Sequence, residues 1–340
     1  MRLIFAGTPS PALPTFETLL ASDHDIVGVI TRTPAKGGRG RKLQPSPVAA
    51  RAQEALADGA QFDLIETDSL RSDEVRAHIS SLQADLGVIV AYGALVPAPV
   101  LEIPTHGWVN LHFSDLPRWR GAAPVQWAIR EGDQHTASCV FQLEAGLDTG
   151  PVFSREAFSI DPTSTAGELL DFLAQAGAAQ VLDVVNQIAS GTATATPQVE
   201  QGLTHARMLT HADGFVDFSA PARQVNQIIR SVTPNPGAWT LLPDGRRMKL
   251  GAAVVTETPS PGVGRVIVSK NAVDVGCADV CLRLGKVAPA GKGWMDGAAW
   301  ARGARPGEDF CLGGANEDGD TGNASAREGA EAVAGEGAAK

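Results

Sequence analysis

The first 190 residues alternate short, almost wholly apolar runs with segments of helical periodicity. The apolar runs lack polar alternation, as in strands that are buried on both faces of a sheet. Alternating strands and helices are typical of an α/β domain with a parallel sheet. The expected strands are residues 2–6, 26–31, 86–91, 108–113 and 138–143, and the expected helices are residues 13–21, 47–57, 70–82, 123–130 and 165–188.

The pattern changes at Ser190, where a Thr/Ala-rich segment has neither a helical nor a strand period. Short strand candidates follow it, and an Asp244-Gly245 hairpin signal among them predicts a small barrel or sandwich. These strands are residues 214–218, 238–242, 248–255, 263–269, 272–275 and 280–287, with one helix at 222–231. We therefore expect a first domain at 1–189, a linker at 190–208, a second domain at 209–312 and a disordered tail at 313–340.

Composition and motifs exclude several classes of protein. Four cysteines are too few and too scattered for a disulfide framework, and no zinc-site spacing occurs. No apolar stretch approaches the ~20 residues that span a bilayer, and no signal-peptide core follows Met1. The first strand leads into Gly7-Thr8-Pro9 rather than a glycine-rich dinucleotide fingerprint. The sequence predicts a cytoplasmic, monomeric protein without a bound metal.

The charge of the chain is unevenly distributed. A net charge of −10 argues against indiscriminate binding to nucleic acid. Residues 32–42, however, hold five basic side chains and no acid, and residues 205–312 hold 13 Lys/Arg against 9 Asp/Glu, a net of +4. An RNA partner would therefore meet local basic patches on an acidic protein.

Asn110 and His112 stand two residues apart in the apolar run 108–113. Side chains alternate along a strand, so both are expected on one face, near the carboxyl end where parallel sheets bind ligands. An amide beside an imidazole predicts a site for polar chemistry. Taken alone, the pair fits two satisfied buried polar groups equally well.

Asp148 stands in a tight turn, Gly146-Leu147-Asp148-Thr149-Gly150, that follows the strand candidate 138–143. A carboxylate between two glycines could approach a neighbouring strand end. By itself the turn is more typical of an aspartate that bonds to its own backbone.

Four segments taken together resemble the folate-dependent formyltransferases, and most closely the methionyl-tRNA formyltransferases. They are Phe5-Ala6-Gly7-Thr8-Pro9, Val90-Ala91-Tyr92-Gly93, the run NLHFSDLPRWRGAAP at 110–124, and the turn 146–150. The resemblance covers roughly residues 1–312. It implies a Rossmann-like catalytic domain, a linker and an OB-like β-barrel. It also implies that 10-formyltetrahydrofolate is the formyl donor and methionyl initiator tRNA the acceptor.

The catalytic Asn, His and Asp of that family fall on Asn110, His112 and Asp148. A neutral amine would attack the formyl carbon, and Asn110 would donate an N–H to the oxygen on which negative charge develops. His112 would stabilise the same oxygen or carry the proton from the amine to the leaving nitrogen. Asp148 would orient the imidazole and favour its protonated form.

The resemblance also assigns the folate contacts, with one departure from the family. The turn at 114–117 resembles the folate-contacting Ser-Leu-Leu-Pro, but an acid replaces the first leucine. A backbone contact there would tolerate the acid, whereas a leucine packed on the folate would not. The implied contacts are Ser114, Asp115, Leu116, Pro117, Tyr92 and Gly93.

The basic loop at 33–43 resembles the insertion that the family uses at the acceptor end of tRNA. Basic side chains there suit contact with phosphates, and the glycines permit folding onto RNA. The implied tRNA contacts are Lys36, Arg39, Arg41 and Lys42. The loop carries one base more than the usual family sequence. Met208 stands where relatives usually have a lysine, which removes one expected phosphate contact.

Two other functions remain as alternatives. The first is a formyltransferase that acts on a nucleotide sugar or a purine precursor, although such relatives usually lack the basic insertion and the appended barrel. The second is an RNA-binding protein with a degenerate catalytic domain, against which the intact Asn110, His112 and Asp148 argue.

Overall fold

The computed structural model describes residues 1–37, 42–307 and 309–314. These residues form two compact units that meet in sequence between Met208 and Leu209. Within the described part of the chain, no helix is both long and apolar enough to cross a membrane.

The first unit contains every strand and helix predicted for it, with ends that differ by at most three residues. Its strands are β1 (Arg2–Gly7), β2 (Asp25–Thr31), β3 (Ala35–Gly37), β4 (Lys42–Gln44), β5 (Asp63–Glu66), β6 (Leu86–Val90), β7 (Trp108–His112), β8 (Arg120–Gly121), β9 (His135–Gln142), β10 (Val152–Ser159) and β11 (His205–Ala206). Its helices are α1 (Leu13–Leu20), α2 (Pro47–Ala57), α3 (Asp73–Ser81), α4 (Ala98–Leu101), α5 (Pro124–Glu131) and α6 (Ala166–Ser190).

Seven of these strands form one Rossmann-like sheet in the order β10-β9-β7-β6-β1-β2-β5. The five strands from β7 to β5 are parallel, and four of them were predicted, whereas β5 was not. The predicted sheet is parallel except at one edge, where β9 runs antiparallel to both of its neighbours, β7 and β10. The sequence did not reveal β10 because this edge strand is mostly half-buried or exposed and carries the charged pair Arg155-Glu156.

The sheet is covered on both faces. Val109 and Leu111 of β7 belong to the core that α1 and α6 close, whereas Trp108 belongs to the core on the opposite face. A capping box between Thr165 and Glu168 begins the 25-residue α6, which contacts β9 and α1. This alternation places Asn110 and His112 on the face of Trp108, as the sequence predicted.

Gly87 of β6 leaves the space that the Trp108 indole fills, since a Cβ there would lie 2.0–2.5 Å from three ring atoms. Overpacking a core typically costs about 1–3 kcal/mol. We expect Gly87→Ala to lower the free energy of unfolding by about that amount in urea titrations followed by tryptophan fluorescence. Gly303→Ala is the control, because its Cβ would meet nothing within 4 Å. Equal stabilities of the two variants would contradict the prediction.

The second unit consists of two antiparallel four-stranded sheets and two helices. One sheet has the order β12-β13-β18-β19 and the other β14-β17-β16-β15. Its elements are α7 (Ala222–Ser231), β12 (Ala238–Leu241), β13 (Arg247–Leu250), β14 (Ala253–Pro259), β15 (Val266–Val268), β16 (Val273–Gly276), β17 (Val280–Leu284), β18 (Lys286–Pro289), β19 (Met295–Asp296) and α8 (Gly297–Ala304). The predicted hairpin at Asp244-Gly245 is confirmed, since it joins β12 to β13.

Three strand predictions in this unit need correction. Residues 248–255 and 280–287 each form two strands, because the chain bends at Gly251 and Gly285 and passes to the other sheet. The bends lie side by side: Gly251 N–H donates to Lys286 O (2.8 Å) and Gly285 N–H to Ala252 O (3.1 Å). Residues 214–218 are not a strand, since a 3₁₀ turn (Ala212–Gly214) precedes a single β-bridge.

The end of the described chain packs on the second unit. Leu312 is buried, and Gly313 N–H donates to Leu241 O (3.0 Å). The remainder of the tail that the sequence predicts to be disordered, residues 315–340, lies outside the described residues.

Candidate active site

The order of the strands places a crevice at the carboxyl ends of β1 and β6. The chain leaves β1 for β2 on one side of the sheet and later returns to β6 on the other, which is the switch point where open α/β sheets bind ligands. Thr8 Oγ1, after β1, donates to Tyr92 O, after β6 (2.8 Å). Strand β7 lies next to β6, so its last residues, Asn110 and His112, border this crevice.

Asn110 presents an amide that no described residue hydrogen-bonds. The residue is half-buried, and among the described residues none hydrogen-bonds to its side chain. Its backbone is fixed between Ile89 and Phe141 in the central part of the sheet. Both N–H groups of a rigidly placed amide are therefore available to a ligand.

His112 is 5% exposed, and each ring nitrogen faces an acceptor. Nε2 lies 2.9 Å from Trp119 O, and because a carbonyl can only accept, Nε2 carries the hydrogen. Nδ1 lies 3.8 Å from Asp148 Oδ2. The nitrogen left for chemistry is therefore Nδ1, on the side of the carboxylate.

Asp148 is held by a backbone donor and by the conformation of its turn. The residue is buried, its φ of 52° lies in the left-handed region, and its Oδ2 accepts from Gly121 N–H (2.7 Å). Gly121 itself has a φ of 125°, and a Cβ there would lie 2.7 Å from Ala206 O. The strand β11 thus packs so closely on β8 that only glycine fits at the donor position.

Trp119, whose carbonyl meets His112, is fixed from three sides. Its φ is 62°, its N–H donates to Thr204 Oγ1 (2.9 Å), and its indole donates to Asp133 Oδ2 (2.8 Å). The guanidinium of Arg118 lies 4.4 Å above its ring and pairs with the same carboxylate. A left-handed conformation at a residue other than glycine costs about 1–3 kcal/mol, so these contacts must over-determine it.

In the turn implied to contact folate, two of the four side chains are buried and two are half-buried. Ser114 and Leu116 are buried, and Ser114 Oγ donates to Arg118 O (2.6 Å). Asp115 and Pro117 are half-buried, and Asp115 forms an ion pair with Arg155 of β10. The acid that replaces the family leucine is therefore balanced by a base on the edge strand β10.

Tyr92 and Gly93 differ in what they can offer a ligand. Tyr92 is 2% exposed, its hydroxyl donates to Thr67 O (3.2 Å), and burial raises the pKa of that hydroxyl to about 12. Its side chain therefore packs inside the protein and bonds to the segment that follows β5, rather than facing a ligand. Gly93 is exposed, with a φ of 82°, and its carbonyl accepts from Arg32 (2.8 Å).

The structure describes only part of the basic loop. Lys36 lies on β3 and Lys42 on β4, which pair antiparallel, and both side chains are exposed. Arg39 and Arg41, the other two residues implied to contact tRNA, lie outside the described residues.

Two further residues support the site without having been singled out from the sequence. Thr204 holds Trp119, and Gln198 contacts both the Asp148 turn and Arg120. Both lie in the segment predicted to be a linker, where no periodicity marks them. Within the described ranges, no cluster of three or more His, Cys, Asp or Glu side chains is placed to hold a metal ion.

Comparison with known proteins agrees with this fold. Residues 1–185 match the formyl transferase family, and residues 208–305 match the formyl transferase C-terminal domain. The solved structure of WlaRD, a sugar 3N-formyl transferase, superposes with a TM-score of 0.62 at 15% identity, covering 86% of this chain and 98% of that one. Fold and site together define an enzyme of the formyl transferase class.

Curated relatives give the more particular assignment. The methionyl-tRNA formyltransferase of Acidothermus cellulolyticus is 47% identical over 329 residues, covering 91% of this chain and all of the relative. That of Rhodococcus erythropolis is 44% identical over 306 residues, covering 90% of this chain and 97% of the relative. The chain therefore belongs to the formyl transferase family, in the branch of the methionyl-tRNA formyltransferases.

Proposed function

We propose that this chain transfers the formyl group of 10-formyltetrahydrofolate to the α-amino group of methionyl initiator tRNA. The observation that carries the proposal is the approach of Asp148 to His112, two residues along β7 from Asn110, whose amide no described residue hydrogen-bonds. Full-length similarity to methionyl-tRNA formyltransferases supports the choice of acceptor.

The residues at the site suit a formyl donor. The folate supplies an activated formyl carbon when it is bound. The free Asn110 amide can donate an N–H to the formyl oxygen, and the exposed backbone at Gly93 offers an approach without a side chain. Asp115 and Pro117 are half-buried, so part of the turn is open to contact.

Of the two roles left open for His112, the geometry favours proton transfer. Its Nε2 hydrogen is committed to the carbonyl of Trp119, so this N–H does not reach for the formyl oxygen. Its Nδ1 can accept the proton that the attacking amine loses and hand it to the leaving nitrogen. Asp148, with Oδ2 3.8 Å away, stabilises the ring while it carries both protons.

The second unit is proposed to be the OB-like barrel of this family, acting on tRNA. Support comes from its two antiparallel sheets, whose strands pass from one sheet to the other at Gly251 and Gly285. Arg247 and Lys249 stand exposed on β13, and barrels of this kind bind nucleic acid through a basic groove. Met208, which replaces a lysine of the family, is 64% exposed and adds no charge.

The basic loop is proposed to contact the acceptor end of the tRNA. We expect combined alanine substitution of Lys36, Arg39, Arg41 and Lys42 to raise KM for methionyl-tRNA by about tenfold or more, because phosphate contacts dominate affinity for nucleic acid. The salt dependence of that KM should also become less steep. KM for the folate should stay within about twofold of the wild-type value.

Steady-state assays at several salt concentrations measure this effect. The control is Arg71→Ala, which removes one exposed base outside the loop. Wild-type kinetics toward tRNA in the fourfold variant would show that the loop does not bind it.

The acceptor is tested by offering three amines with 10-formyltetrahydrofolate: methionyl initiator tRNA, methionyl elongator tRNA and free methionine. Rapid formylation of the initiator tRNA alone is the expected result. Folate binding without transfer to any of them would redirect the assignment to a nucleotide-sugar or purine acceptor.

A further inference from the structure

We propose that Gln198, in the segment that follows the catalytic domain, is a positioning residue for Asp148. Its side chain joins the backbone of the turn that carries the carboxylate to the strand that supplies the carboxylate's hydrogen-bond donor. The inference rests on the proposed catalytic role of Asp148.

One primary amide makes four contacts here. Gln198 Nε2 donates to Asp148 O and to Gly150 O, each at 2.8 Å. Its Oε1 accepts from Arg120 Nη2 (2.7 Å) and Arg120 Nε (3.1 Å). The side chain is half-buried, so these bonds compete only partly with water.

These contacts bear on the carboxylate itself. Asp148 has a φ of 52°, a conformation that other contacts must stabilise. The Gln198 amide supplies such contacts, because it donates to the carbonyls of the residues on both sides of Thr149. Arg120 precedes Gly121, whose N–H donates to Asp148 Oδ2. Gln198 therefore bonds both to the turn that carries the carboxylate and to Arg120, the residue before the donor Gly121 that orients the carboxylate toward His112.

Backbone contacts hold the same segment in place without this side chain. Thr196 and Val152 exchange two hydrogen bonds of 2.8 Å, and Arg120 N–H donates to Thr204 O (2.9 Å). Removing the amide of Gln198 should therefore spare the path of the chain and release chiefly the Asp148 turn.

Two substitutions distinguish the bonds that Gln198 donates to the Asp148 turn from those that it accepts from Arg120. Gln198→Leu removes every hydrogen bond, whereas Gln198→Glu keeps an acceptor for Arg120 but turns an oxygen toward two carbonyl oxygens. We expect both variants to lower kcat for formyl transfer by roughly 10- to 100-fold, as small displacements of catalytic groups do. KM for folate and for tRNA should stay within about threefold. The melting temperature of Gln198→Leu should fall, because the buried Arg120 guanidinium loses its acceptor, whereas Gln198→Glu keeps that acceptor. Gln201→Leu and Gln201→Glu, at an exposed position of the same segment, are the matched controls and should keep the wild-type kcat.

A double-mutant cycle with Asp148→Asn tests whether the effect passes through the carboxylate. Single-turnover rates are measured for Gln198→Leu, Asp148→Asn and the combination. If Gln198 acts through Asp148, adding Gln198→Leu to Asp148→Asn costs less than about twofold further. Losses that multiply, or a Gln198→Glu variant with wild-type kcat, would overturn the positioning role alone. A wild-type rate in Asp148→Asn would overturn the catalytic role of Asp148 and this inference with it.

Discussion

Replacing His112 with glutamine is expected to lower kcat for formyl transfer by about 10²–10⁴-fold, the usual contribution of a positioned acid–base group. Glutamine can still donate to Trp119 O in the place of Nε2, but it offers nothing in the place of Nδ1, which faces Asp148. KM for either substrate should change little, since the ring is almost wholly buried and offers little surface to a substrate.

Single-turnover measurements with excess enzyme keep such slow rates measurable and separate chemistry from product release. His106→Gln is the control, because this exposed histidine lies at the opposite end of β7, before Trp108. If His112→Gln retained a rate within about threefold of the wild type, proton transfer through Nδ1 would be ruled out.

The second large effect is expected at Asn110, where alanine should lower kcat by about 10²–10³-fold, as the loss of one oxyanion donor typically does. Aspartate, which has nearly the same shape, should be worse than alanine, because it turns a negative charge toward an oxygen that becomes negative. This order distinguishes a donor of hydrogen bonds from a residue that only fills space.

Both Asn110 variants are compared with Asn271→Ala, a change at an exposed position of the second unit. Folate binding, followed by the quenching of tryptophan fluorescence, should survive in Asn110→Ala. Equal rates in the alanine and aspartate variants would argue against charge stabilisation by the amide.

Much of the fold could be predicted from periodicity. Continuous apolar runs marked the buried strands, and strand alternation put Asn110 and His112 on one face. Strand β10 was missed because an edge strand carries polar and charged side chains. In the second unit, Gly251 and Gly285 looked like interior glycines of long strands, whereas each marks the point where the chain changes sheet.

The candidate site, like the fold, was predicted only in part. Sequence resemblance named Asn110, His112 and Asp148, and it named the turn at 114–117 as the folate contact. It named Tyr92 as a contact too, but it did not show that the Tyr92 hydroxyl donates to Thr67 O inside the protein. It named no partner for Asp115, because nothing in the local sequence points to Arg155.

The sequence by itself determined the class of fold, the face of β7 on which Asn110 and His112 lie, and the family to which the chain belongs. Only the tertiary structure decided which nitrogen of His112 is free of a hydrogen bond to Trp119 O and which backbone N–H orients Asp148. It also showed that two residues of the predicted linker, Gln198 and Thr204, hydrogen-bond to the site. The reason is distance along the chain: Gly121 and Asp148 are 27 residues apart, Gln198 and Asp148 are 50 apart, and Thr204 and Trp119 are 85 apart. Periodicity reports which way a side chain points within its own element, whereas these hydrogen bonds depend on how separate elements are brought together.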